Sequence, residues 1–128
     1  VIRVVDDQIG SITSAFNLAE ICWKLIFLNN EYSSQDKLFP SILHWSDEGI
    51  ISWFEVASAI KEISQEIGLI IDAPVIEAIN SKGFIQTAYR PKYSVLGCFE
   101  TEIITKQQRL NWKLSLTYIL KNLLSYKK

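Results

Sequence analysis

The chain contains no methionine, a single histidine (His44), two cysteines and three prolines in 128 residues. Each scarcity excludes something. Cys22 and Cys98 are too few for a disulfide framework, and no second histidine stands at metal-ligand spacing to make a zinc site. Cys22 lies in an apolar helical run and is expected to be a small buried hydrophobe; both thiols fit a reducing, cytoplasmic setting. The five glycines, at 10, 49, 68, 83 and 97, are scattered, which excludes a Gly-rich phosphate loop. No tyrosine is followed four residues on by lysine, and no Cys/His nucleophile pair stands out. A chain that opens on Val1 and holds no methionine is expected to be a processed protein or a piece of a longer one.

Charge bias is also lacking. Thirteen Lys and Arg against 14 Asp and Glu leave a net charge of −1, and the Lys127-Lys128 end is too short for a basic arm, so nucleic acid is excluded as a partner. The longest apolar run, residues 21–28, contains Lys24 and cannot span a bilayer; neither a membrane segment nor a signal peptide is expected. What is present is ordinary core material: 48% hydrophobic and 21% charged residues, enough for one globular domain over residues 1–128.

Residues 1–5 (VIRVV) read as a buried strand, and the polar run after them ends in hydroxyl residues suited to capping a helix. Residues 15–28 are apolar over most of a helical circumference, which predicts burial on more than one side. Residues 29–37 read as a loop, and residues 38–45 (LFPSILHW) as a strand with Pro40 at its start. Ser52 and Glu55 form a capping box; Val56, Ile60, Ile63 and Ile67 follow on one helical face, and Gly68 stands where a C-terminal cap belongs. Residues 69–79 read as a strand pair or a strand broken at Pro74, residues 101–110 as a short helix, and the run from Trp112 as a final amphipathic helix. The order is that of an α/β protein.

Several side chains invite a chemical reading. Asp6 and Asp7 follow the first strand and point to opposite faces, so loop solvation and capping suit them better than a shared proton or metal. His44, beside Trp45, is read as structural, and Glu62 and Glu66 with Lys61 as a solvated face. Arg90 is different: Pro91 holds its backbone extended, so its guanidinium can be aimed. Residue chemistry leaves two readings open, a diphosphate in its planar fork or an Asp or Glu that pins the loop.

Four segments, in order, resemble the C-terminal part of the dTDP-4-dehydrorhamnose reductases, a family of extended short-chain dehydrogenase/reductases. IRVVDDQIGSITSAFNLAEIC is similar to the family's VVDDQxGxPT…DLA, and LHWSDEGIISWFEVASAI to its H-S-x-E-G-x-x-S-W run. AYRPKYSVLG resembles A-x-R-P-x-Y-S-x-L-D/N, and NWKLSLTYIL the closing W-R/K-x-S/A-L-x-x-x-L. Ile12 stands where the family has proline, and Gly97 where it has Asp or Asn, which weakens the cap of the following helix.

The resemblance implies a substrate lobe plus the last strands of a Rossmann-like sheet, with the N-terminal cofactor-binding part absent. It implies a dTDP-sugar as ligand, with Gly10, Ser11, Thr13, Arg90 and Tyr93 as substrate-binding residues and Arg90 on the diphosphate. NADPH or NADH, the Tyr-x-x-x-Lys pair and the catalytic threonine or serine would belong to the missing part, so this chain alone is expected to bind no cofactor, to hold no catalytic residue and to be inactive. Two alternatives accompany this expectation: a non-catalytic regulatory or protein-binding module of the same fold, and another sugar-nucleotide epimerase or dehydratase. Without the missing part, the first strand would be exposed and a homodimer or self-association is expected.

Overall fold

A computed structural model describes residues 1–83 and 88–125. The first strand, β1 (Ile2–Val5), is followed by β2 (Ile9–Gly10) and the helix α1 (Ala15–Ser34). Then come β3 (Ile51–Ser52), α2 (Trp53–Glu66), β4 (Ile76–Ile79), a short 3₁₀ turn at Ser81–Gly83, α3 (Phe99–Thr105) and α4 (Trp112–Ser125). β1 pairs in parallel with β4, Ile2 opposite Ile76 and Val5 opposite Ile79, while β2 pairs antiparallel with β3. α2 lies against both strands of the parallel pair and against α4, and α1 packs on α3. The α/β reading holds.

α2 follows from local sequence alone. Ser52 Oγ accepts the Glu55 N–H at 3.1 Å while the Glu55 carboxylate accepts the Ser52 N–H at 2.6 Å. At the other end Gly68 takes φ +72°, and the Leu69 and Gly68 amides close back on Ser64 and Gln65 at 2.8 and 3.1 Å. Only glycine reaches that left-handed turn without strain. Val56, Ile63 and Ile67 face a core of Ile51, Ala59, Trp112, Leu116 and Leu120. Ile60, on the same predicted face, is instead exposed, and Ala59 is the buried residue.

The core closes through one tight approach. Gly49 has φ +146°, and a Cβ built there would stand 2.2 Å from Trp112 Cδ1. Backbone bonds on either side fix that approach: Glu48 N–H donates to Leu110 O and Trp112 N–H to Glu48 O, at 2.8 and 2.9 Å. A second anchor is the buried Asp47, whose carboxylate accepts the Ser14 N–H at 3.1 Å and the Asn17 side-chain amide at 2.8 Å. That amide also donates to Ser115 Oγ at 2.9 Å. Asp47 thereby satisfies the start of α1 from 30 residues away and suits the positive end of the helix dipole.

Several expectations fail for physical reasons. Residues 38–45 form no strand: a strand needs a partner edge, and the His44 carbonyl is instead taken by the Thr101 hydroxyl at 2.6 Å. His44 contributes that carbonyl and is otherwise exposed, whereas Trp45 beside it is buried. α1 does not stop at Leu28 but runs to Ser34, where Tyr32 packs edge-on against Phe39 at 5.2 Å. It ends with Asp36 at φ +52°, a short polar residue in the place of a capping glycine.

α1 is also not buried on several sides. Ile21 alone is buried, Phe16, Trp23 and Phe27 are about 60% exposed, and Cys22 is exposed while Cys98 is buried. β1 is only half covered: Val1 and Ile2 are exposed, and the Arg3–Glu77 pair across the sheet is solvent-facing. Residues 69–79 yield one strand, β4, not a pair, and the short helix begins at Phe99, not Thr101. Its cap residue, Cys98, makes no side-chain cap bond, its thiol lying instead 3.6 Å from both Leu96 O and Ser46 Oγ, in keeping with the weak cap expected from Gly97. The expected Lys127-Lys128 end lies outside the described residues.

Gly49→Ala is expected to destabilise the chain by about 3 kcal/mol or more, since it combines overpacking with a strained φ. Ile60→Ala, on α2 but exposed, is expected to cost about 1 kcal/mol or less. Urea unfolding of the two variants checks the order; equal midpoints would show that the Gly49–Trp112 contact is not tight in solution.

Candidate functional site

The residue following each strand end decides where a cleft can form. Asp6 and Asp7 leave β1 in opposite directions and do different work. Asp6 accepts the Ser52 hydroxyl at 2.6 Å, so the serine that caps α2 also ties that helix to the end of β1. Asp7 accepts the Ser81 N–H and hydroxyl, both at 2.8 Å, and faces the charge of Lys92. These Ser81 bonds, with Lys92 behind them, hold the Asp7 carboxyl below its ordinary value of 3.8. Capping, not proton sharing, accounts for both aspartates.

The Arg-Pro segment is pinned beside β2 chiefly by backbone bonds, with the Ser94 hydroxyl adding a third to Ile9 O at 3.3 Å. Ile9 N–H donates to Lys92 O at 2.8 Å and Ser94 N–H donates to Ile9 O at 2.9 Å, a parallel bridge centred on Tyr93. Gly10 lets the two walls meet, because a Cβ there would lie 3.0 Å from Ser94 Oγ. Of the opening Thr87–Gly97 stretch, Thr87 lies outside the described residues.

Between these walls lies a cleft of about 140 Å³. Gly10 and Ser11 from the β2 turn and Arg90 and Pro91 from the opposite loop line it, with Trp53 at the first turn of α2 and Gln8 behind β1. Thus three of the five expected site residues, Gly10, Ser11 and Arg90, meet in one place. Thr13 and Tyr93 do not line it; Thr13 is exposed past the turn, and Tyr93 contributes its backbone to the bridge. Arg90 is exposed, and among the described residues it makes no ion pair. Among the described residues it is the only charged one that lines the cleft.

The start of α2 opens on this cleft, yet its positive end already holds the carboxylates of Glu55 and, through Ser52, Asp6. Arg90 therefore supplies the positive charge a ligand anion would meet. The rest of the lining is neutral: Ile12, Ile51 and Val56 make an apolar wall, and Trp53 presents a half-exposed indole. Sequence reasoning missed Gln8, Trp53 and Ser94. The signal for Trp53 was within reach, since a large aromatic directly after a cap residue stands at the open end of its helix. Gln8 carried none, because its burial depends on the segment around residue 92. Among the described residues no cluster of His, Cys, Asp or Glu suits a metal ion, and no helix is long and apolar enough to cross a membrane.

Residues 1–125 match the family model described as the RmlD substrate binding domain. The chain belongs to that family. Its similarity reaches the spore coat polysaccharide biosynthesis protein SpsK of Bacillus subtilis, 40% identical over 95 residues, or 74% of this chain and 28% of SpsK. A solved dTDP-4-dehydrorhamnose reductase from Clostridium acetobutylicum is 30% identical with a TM-score of 0.75, covering 97% of this chain and 39% of that one. The Bacillus anthracis reductase, solved in complex with NADP, is 26% identical with a TM-score of 0.73, covering 94% and 37%. This RmlD substrate binding domain thus spans well under half the length of the relatives it matches. The fold expected from the four sequence segments is that of the reductases.

Asp7 gives the domain a defined acid response. Its folded pKa is depressed, so its stabilising bonds are fully present above the ordinary value of 3.8 and fade as pH falls towards the folded value. Asp7→Asn is expected to lower the melting temperature at pH 6, with the gap to wild type closing below about pH 3.8. A gap that stays constant with pH would mean that the Ser81 contacts do not depend on the charge.

Proposed function

We propose that this domain is the sugar-nucleotide-binding part of a dTDP-4-dehydrorhamnose reductase. The longer enzyme would reduce dTDP-4-dehydro-L-rhamnose to dTDP-L-rhamnose with NADPH or NADH, in nucleotide-sugar and polysaccharide biosynthesis. The observation that carries this reading is the cleft itself: neutral walls, an indole beside them and a single charged residue, Arg90, at the mouth. A nucleoside diphosphate sugar has the matching parts, a compact anion flanked by two largely neutral rings. Family membership and the reductase relatives support the same ligand class.

Size supports it too. Ligand sites for whole small molecules enclose roughly 300–1,000 Å³, and this cleft, at about 140 Å³, has room for one part of such a ligand. The remainder of the site, with cofactor and proton donor, would come from the rest of the enzyme. In this reading the half-covered β1–β4 pair is the edge of a larger parallel sheet. Such sheets are stable when both faces are covered, and Val1, Ile2 and Val75 here are exposed. The single domain over residues 1–128 then supplies binding and no chemistry. Gly10 and Ser11 shape the wall.

Calorimetric titration of the chain with dTDP tests the reading. Saturable binding is expected, weakened about tenfold or more in Arg90→Ala, the loss of one or two charged hydrogen bonds, and partly retained in Arg90→Lys. Equal affinity of wild type and Arg90→Ala would remove Arg90 from the diphosphate.

A further inference from the structure

Gln8 is 8% exposed, and what remains accessible of it lines the cleft. A buried primary amide has two N–H donors and a carbonyl acceptor to satisfy. Among the described residues the Gln8 side chain makes no hydrogen bond, whereas its neighbours are committed. Ser11 Oγ donates to Gly49 O at 3.0 Å, Ser52 Oγ to Asp6 at 2.6 Å, and Ser94 Oγ to Ile9 O at 3.3 Å. Each cleft serine has thus given its one proton to the protein. Gln8 is left nearly buried with uncommitted donors and an acceptor, the Trp53 indole N–H being a single, half-exposed donor, while Arg90 stands exposed.

Its polar atoms reach the cleft, and a ligand that covered them without replacing their solvent bonds would bind about tenfold more weakly or worse, which is the cost of leaving them unpaired. A ligand group that fills its bonds removes that cost, and a group that cannot is rejected by the same margin. We propose that Gln8 is a specificity-determining binding residue of the cleft, its amide pairing with an uncharged ligand group that offers both a donor and an acceptor. Two parts of a thymidine diphosphate sugar have this chemistry: vicinal sugar hydroxyls and the imide edge of the base. The inference rests on the nucleotide-sugar reading of the cleft and adds the residue that selects within that class.

The test titrates the 128-residue chain with dTDP-rhamnose and with dTDP, for wild type, Gln8→Leu and the equally long Gln8→Met, alongside melting temperatures. Both variants are expected to melt close to the wild-type temperature, since the amide holds no hydrogen bond among the described residues, and to bind dTDP-rhamnose about tenfold more weakly or worse. Undiminished dTDP binding assigns Gln8 to the sugar; an equal loss for both ligands assigns it to the base. Wild-type affinity for both ligands in the variants overturns the proposal while leaving the nucleotide-sugar reading intact. Variants that melt lower or fail to fold, both together, overturn it by showing that the amide is structural. A wild-type chain that binds neither ligand removes the underlying reading and this proposal with it.

Discussion

The close approach of Gly49 to the Trp112 indole is the contact on which the rest of the domain depends. It brings the start of the last helix against the segment just before β3, a contact that no side chain at position 49 would permit. Because that segment is fixed, its other groups become fixed reference points. Asp47 reaches the start of α1, Ser52 starts α2 and reaches the end of β1, and the Gly49 carbonyl receives the Ser11 hydroxyl. Three helices and both sheets are therefore registered against about seven residues.

The cleft inherits its order from that registration. One wall is β2, held by its pairing to β3 and by Ser11; the other is the Arg-Pro segment, held to β2 by two backbone bonds. Neither wall relies on long side chains, which would carry rotamer entropy. Carboxylates are used up at helix starts and turns, through Asp6, Asp7, Asp47 and Glu55, which leaves the cleft lined by one cation and no acid. The positive character of the cleft is thus a consequence of where the capping groups went.

The apolar surface has a different logic. Phe16 meets Tyr118 edge-on at 6.0 Å, and Trp23 lies against Phe27 at 6.4 Å, yet all four rings stay exposed by more than half. Such a patch on α1, with a half-covered parallel strand pair elsewhere, is what a domain shows when it spans 37–39% of the enzymes it resembles. The composition of α1 was read as burial, and burial requires a surface to pack against, which this chain provides only along Ile21.

Sequence by itself determined what is decided within a few residues. The Ser52–Glu55 box, the Gly68 stop and the spacing of Val56, Ile63 and Ile67 set α2, because capping and helical periodicity act over one or two turns. Pro91 made the Arg90 segment extended for an equally local reason. Four motifs in order carried the family. Tertiary structure decided the rest, wherever a group's partner lies far along the chain. The strand expected at residues 38–45 was lost because no edge met it, and its carbonyl went to Thr101. Gly49 looked like any loop glycine until Trp112 was placed beside it. Gln8 follows a strand end in a polar run and is nonetheless buried, since burial belongs to the assembled fold and not to any one residue.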